Sequence, residues 1–309
     1  MLSSINRRIS LVLSSCILFL GGLTGASPAH SQITKLTGDY GFTTFRPAGG
    51  TYAGKTIDAT GAWFTVANSK NSHPTWSSDC EVGSLPINRY PVNLSGQAGV
   101  TFIGGRIDSH VPQESEWSPT YCNSSALSVF DSNNANVDGI RILGAWDAVR
   151  FAQGSNNFSL TNAWIADTRD DCVENDQLKS GRILNVLFDG CFSGISVDPG
   201  KNSDLTNQRY LHTVVMDRVL MRLKPYPYRK SASEPLQIAH GHAFKSTTNA
   251  PSFEITNSIF AYEGVPFMAD SRLTTILGRL LECSNNSFLW LSDEPLPAFV
   301  DYFPESCFT

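Results

Sequence analysis

The densest chemistry in this 309-residue chain is the run Arg169-Asp170-Asp171-Cys172-Val173-Glu174-Asn175-Asp176, and a further acid, Asp147, lies 23 residues before Asp170. Carboxylates brought together resist being charged at once, so one keeps a proton that its neighbour releases. That is the arrangement of a general acid–base pair. The same oxygens suit a Ca²⁺ ion, for which Asp170, Asp171 and Glu174 are the candidate ligands; no other cofactor is expected. Turn capping by aspartate is the competing reading. A titratable ring enters from Ala239-His-Gly-His-Ala-Phe-Lys245, where His242 is the candidate. The catalytic candidates are thus Asp147, Asp170, Asp171 and His242.

These residues meet only if the fold repeats. Sliding the sequence by 23 brings Ile142 onto Ile165 and Phe188, Val149 onto Cys172 and Ile195, Asn162 onto Asn185, and Asp147 onto Asp170 and Ser193. A period in the low twenties with Asn/Asp/Gly punctuation is a solenoid signature. Each coil stacks on the next, so residues one period apart lie roughly 4.8 Å from each other. Val149, Cys172 and Ile195 then form an inward column, and strand alternation turns Asp171 outward. Asp147, Asp170 and Ser193 share one edge. Counting 15 residues back from Asn257, as from Asn185 to Asp170, adds His242 to that edge. Asn162, Asn185 and Asn257 read as a structural turn ladder, with Asp217 in the slot of Asn185 in the intervening coil.

The coil from Asp217 to Asn257 is 17 residues too long, and residues 224–237 (KPYPYRKSASEPLQ) are the expected insertion. Its Tyr226, Tyr228, Arg229 and Lys230 would wall the acidic edge. Aromatic rings stack on sugars and cations meet uronate carboxylates. Arg169, Glu174, Asn175 and Lys245 complete the expected substrate-binding set.

Residues 1–31 read as a secretory signal peptide: Arg7 and Arg8, an apolar run too short to span a bilayer, then Ala29-His30-Ser31. Residues 32–309 are expected to form a single domain, with a C-terminal cap over about 290–309. Six cysteines follow the leader, an even number that suits disulfides in an exported chain. The favoured pairs are Cys172–Cys191, one coil apart, with Cys283–Cys307 and Cys80–Cys122 as local staples. The net charge of −5 argues against a nucleic-acid partner. No membrane contact is expected once the leader is cut, which leaves a secreted or periplasmic protein.

Asp170-Asp171-Cys172-Val173, the later Cys191 and Gly194-Ile195-Ser196 together resemble the polygalacturonase family of glycoside hydrolases, over about residues 140–200. The wider group is the pectate-lyase-like superfamily. The resemblance implies an all-β, right-handed parallel β-helix, a Cys172–Cys191 bridge, and catalysis by Asp147, Asp170 and Asp171. Ala145-Trp146 stand where that family has Asn-Thr, and Ser193 lies near the place of its histidine. The expected function is binding and cleavage of an acidic, uronic-acid polysaccharide. The alternatives are a Ca²⁺-dependent polysaccharide lyase and a non-catalytic, adhesin-like carbohydrate-binding solenoid.

Overall fold

The computed structural model describes residues 33–41, 43–65, 90–109, 111, 113, 125–199, 211–228, 233–246 and 249–309. Residues 1–31, Cys80, Cys122, Arg229 and Lys230 lie outside them.

The chain is a parallel β-helix. Three parallel ladders run through the molecule, and each contributes one inward column. In the first, Ile57, Phe102, Val137, Leu160, Ile183, Met216, Ile255 and Cys283 stand in register. In the second, Phe64, Ile107, Ile142, Ile165, Phe188, Met221, Phe260 and Phe288 do. The third stacks Val92, Leu127, Val149, Val173, Ile195 and Phe244. Nearly all of these side chains are buried. Burial of such columns drives the stack, because no single coil can cover its own apolar face.

The step is 23 between Ile142, Ile165 and Phe188, but 24 from Val149 to Val173 and 22 from Val173 to Ile195. Val173, not Cys172, therefore lies over Val149. Cys172 is buried beside the column and bridged to Cys191, and a second bridge joins Cys283 to Cys307.

Between the first two ladders the chain turns through a left-handed residue. Asn162, Asn185, Asn257 and Asn285 take φ of 54°, 56°, 52° and 56°. Asparagine tolerates that region better than other non-glycine residues. Asn185 Nδ2 donates to Asn162 Oδ1 at 2.7 Å. In the long coil the slot belongs to Arg218, φ 53°, and not to Asp217. Asp217 is one residue earlier, opposite Leu184 and Thr256, where its Oδ1 accepts from Asn257 Nδ2 at 2.8 Å.

Residues in the expected insertion begin as an antiparallel ribbon, Tyr226–Tyr228 against Gln237–Ala239. At the C-terminal end a short helix, Ser271–Leu277, and a 3-10 turn, Ala298–Tyr302, close the stack. Phe299, Phe303 and Phe308 cover the last inward rings, with Phe303 5.1 Å from Phe288 between centroids. Among the described residues, no helix is long and apolar enough to cross a membrane.

Candidate functional site

The site begins as a backbone irregularity. Asp170 N donates to Trp146 O at 2.9 Å, and Ala148 N donates to Asp171 O at 3.0 Å. Both partners flank Asp147, so two residues of the strand Trp164–Glu174 stand opposite one. This is a β-bulge, and it supplies the extra residue of the 24-residue step. A bulge re-aims side chains that alternation would send apart. Asp171 consequently does not point away from Asp147 and Asp170: each of the three offers an oxygen within 4.8 Å of the others.

A second two-against-one pairing follows two coils on. Gly241 N donates to Phe192 O at 2.7 Å and Gly194 N to His242 O at 3.2 Å, which sets Gly241 and His242 opposite Ser193. In main-chain register, Asp147, the Asp170–Asp171 pair, Ser193 and the Gly241–His242 pair form one line. The side chains part company. The His242 ring is fully buried against Tyr262 and Phe299, with Nε2 3.6 Å from Asp270 Oδ1. Burial pushes its pKa down to about 4, with Asp270 opposing. His242 is thus neutral and turned into the core rather than toward the aspartates.

Beside that line runs an outward column of the third ladder: Ser128, Arg150, Glu174, Ser196 and Lys245. Two cations from it reach back to the acids. Lys245 Nζ donates to Asp171 Oδ2 at 2.7 Å and to Asp170 Oδ1 at 3.4 Å. Arg150 Nη2 lies 3.2 Å from Asp147 Oδ2, and its guanidinium also binds Glu174 and, at 3.3 Å, the Tyr90 hydroxyl. Asp176 lies on the far side, accepting from Ser196 Oγ at 2.5 Å and from Asp198 N at 2.8 Å.

Asp147, Asp170 and Asp171 are 3%, 5% and 2% exposed, so their charges interact strongly. Burial first, then repulsion from Glu174 and Asp170, holds the Asp147 carboxyl well above the usual range. Burial and Asp170 do the same to Asp171. Glu174 and Asp176 are raised by burial as well. Burial opposes the charge of Lys245, but Asp170, Asp171 and Asp176 outweigh it and hold the ammonium protonated. Arg150 is likewise kept charged by Glu174 and Asp147. Asp171 Oδ1 and Ser193 Oγ are buried without a hydrogen-bond partner among the described residues. Burial and mutual repulsion thus both disfavour charging the Asp147 and Asp171 carboxyls together.

The remaining candidates divide. Asn175 is buried and closes its own turn, exchanging hydrogen bonds with Lys179 N at 2.8 Å and Lys179 O at 2.9 Å. Arg169 is fully buried; its Nη2 donates to Pro227 O at 2.8 Å and its Cζ sits 4.9 Å from the Tyr226 ring centroid. Tyr226 is buried and donates to Gly190 O. Arg169 and Tyr226 hold strands and ribbon together, while Asn175 fixes only its turn. Tyr228 packs on Phe192 and Phe267, ring centroids 5.4 and 4.2 Å apart, and burial followed by Asp170 raises its pKa. Glu174, a candidate Ca²⁺ ligand, is engaged by Arg150 instead, so the oxygens that could share a cation are those of Asp147, Asp170 and Asp171. Arg150 and Tyr90 were not expected. With the one-residue bulge known, Arg150 opposite Glu174 follows from the register alone.

Comparison with known proteins finds no matching family model, no matching curated protein and no matching solved structure.

Proposed function

We propose that this protein is an exported glycoside hydrolase that cleaves an acidic, uronic-acid polysaccharide at the aspartate cluster. The observation that carries the reading is the convergence of three buried carboxyl groups within 4.8 Å, two of them held well above their ordinary pKa. Asp171, with its unpartnered Oδ1, is the group suited to protonate a glycosidic oxygen. Asp170, more loosely held by Lys245, would activate water. Lys245 and Arg150, with side chains 15% and 20% exposed, are the cations paired with the cluster and suit a uronate carboxylate. The Cys172–Cys191 and Cys283–Cys307 bridges agree with export.

A lyase would need a neutral Lys or Arg to abstract a proton, and the acids keep both local cations charged. A Ca²⁺ site is favoured by the three convergent oxygens, yet the Lys245 ammonium already neutralises two of them. The test is incubation with a panel of uronic-acid polysaccharides, with and without a chelator. New reducing ends that survive the chelator are expected. Ultraviolet-absorbing unsaturated ends would instead identify a lyase, and retention without products a binding protein.

A further inference from the structure

The second ladder carries an outward column that the aspartate site does not use. In four successive strands it reads Trp63, Arg106, Arg141, Trp164. The indoles are 43% and 38% exposed. Arg106 Cζ lies 5.5 Å from the Trp63 centroid and Arg141 Cζ 5.6 Å from that of Trp164. Each guanidinium leans on its own indole, a contact both gain from.

The middle of the column costs stability. Arg106 and Arg141 are direct neighbours across the ladder, and like charges in that position repel. Arg106 is partnered by Asp108, Nε to Oδ1 at 2.9 Å. Arg141 is exposed and, among the described residues, has no carboxylate partner. An uncompensated cation therefore stands next to another on a chain of net charge −5. A cavity of about 430 Å³ opens beside Arg106, walled by Asp108, Leu143 and Gly144. Two flat indoles three strand steps apart, about 14 Å, flank the paired cations.

We propose that this column is a second, non-catalytic binding surface for an acidic glycan. A carboxylate would sit between the two guanidinia and relieve their repulsion, while sugar rings lie against Trp63 and Trp164. Charge complementarity selects the ligand: bidentate guanidinium suits a planar carboxylate, and the two arginines are too few for a nucleic-acid backbone on an acidic chain. Trp164 stands in the second ladder, whereas Asp170 and Asp171 lie toward the strand's other end, beside the third, so the surface and the cluster share no residue. The proposal does not depend on hydrolysis.

The experiment is electrophoresis of the full mature chain through gels containing polygalacturonate, its methyl ester, or duplex DNA. Polygalacturonate is expected to retard the protein and its methyl ester not to. Arg141→Gln should weaken retardation about tenfold, the loss of one charge-assisted contact. Trp164→Leu should weaken it too. Arg141→Gln should melt close to the parent, because it removes a like-charge pair together with the contact on Trp164. Absence of retardation, equal retardation of Arg141→Gln and parent, or equal retardation by DNA would each overturn the proposal.

Discussion

Asp171 has one oxygen on Lys245 at 2.7 Å and one with no partner among the described residues. Its carboxyl, like that of Asp147, has a folded pKa well above its ordinary 3.8. Such a group binds its proton more tightly in the native chain than in the unfolded one. Its contribution is therefore most favourable below pH 3.8 and declines as pH rises toward the folded value. Asp171→Asn removes that decline while keeping an oxygen for Lys245. We expect the variant to hold its stability at pH 7 or gain about 1 kcal/mol, with the difference from the parent vanishing near pH 4. Hydrolysis should fall by roughly 10²–10⁴-fold, the range for loss of a general acid. Melts at both pH values beside a reducing-end assay decide. A variant that is about 1–3 kcal/mol less stable at pH 7, with unchanged turnover, marks Asp171 as a structural acceptor.

At the scale of the strand, the bulge made the site hard to foresee. The shift of 23 correctly aligned Ile142, Ile165 and Phe188, and the turn residues Asn162 and Asn185. It misplaced Cys172 over Val149, because a step of 24 followed by one of 22 leaves the average untouched. Period alone locates coils, while a compensated bulge is visible only in the hydrogen bonds of Trp146 O and Asp171 O. His242 shows the same limit: its main chain falls on the line, but the core takes its ring. The ribbon adds a third case. A polar, proline-rich stretch reads as a removable surface loop, yet Tyr226 is 2% exposed and Pro227 O satisfies a fully buried Arg169. Replacing the ribbon from Tyr226 to Ala239 with a Gly-Ser turn should uncover that guanidinium and cost roughly 3 kcal/mol, as breaking a buried charge's partners does. Urea unfolding measures it. Excision of only residues 229–236 should leave the midpoint close to the parent's, and equal loss from both deletions would show that the tip, not Tyr226 and Pro227, carries the stability.

Across the molecule, a stack of coils is quasi-one-dimensional: each coil is stabilised by its neighbours, and the ends are stabilised from one side only. The C-terminal end compensates with aromatic rings. Phe299, Phe303 and Phe308 pack on one another and on Tyr262, Phe260 and Phe288, and the Cys283–Cys307 bridge ties them to the last strand pair. Replacing both cysteines by serine opens a loop whose closure is worth about 3 kcal/mol in the chain-entropy model. In a nearest-neighbour stack that loss is local. Hydrogen exchange should show protection falling in Leu280–Ser284 and Ser287–Trp290, next to the cap, while Trp164–Glu174 and Gly181–Val197 stay as slow as in the parent. Asp170 and Asp171 lie in Trp164–Glu174, so the proposed glycan cleavage should survive at temperatures where the cap has already frayed. Uniform loss of protection along the whole chain would mean that the coils unfold as one cooperative unit and that the cap sets the stability of the site as well as of the end.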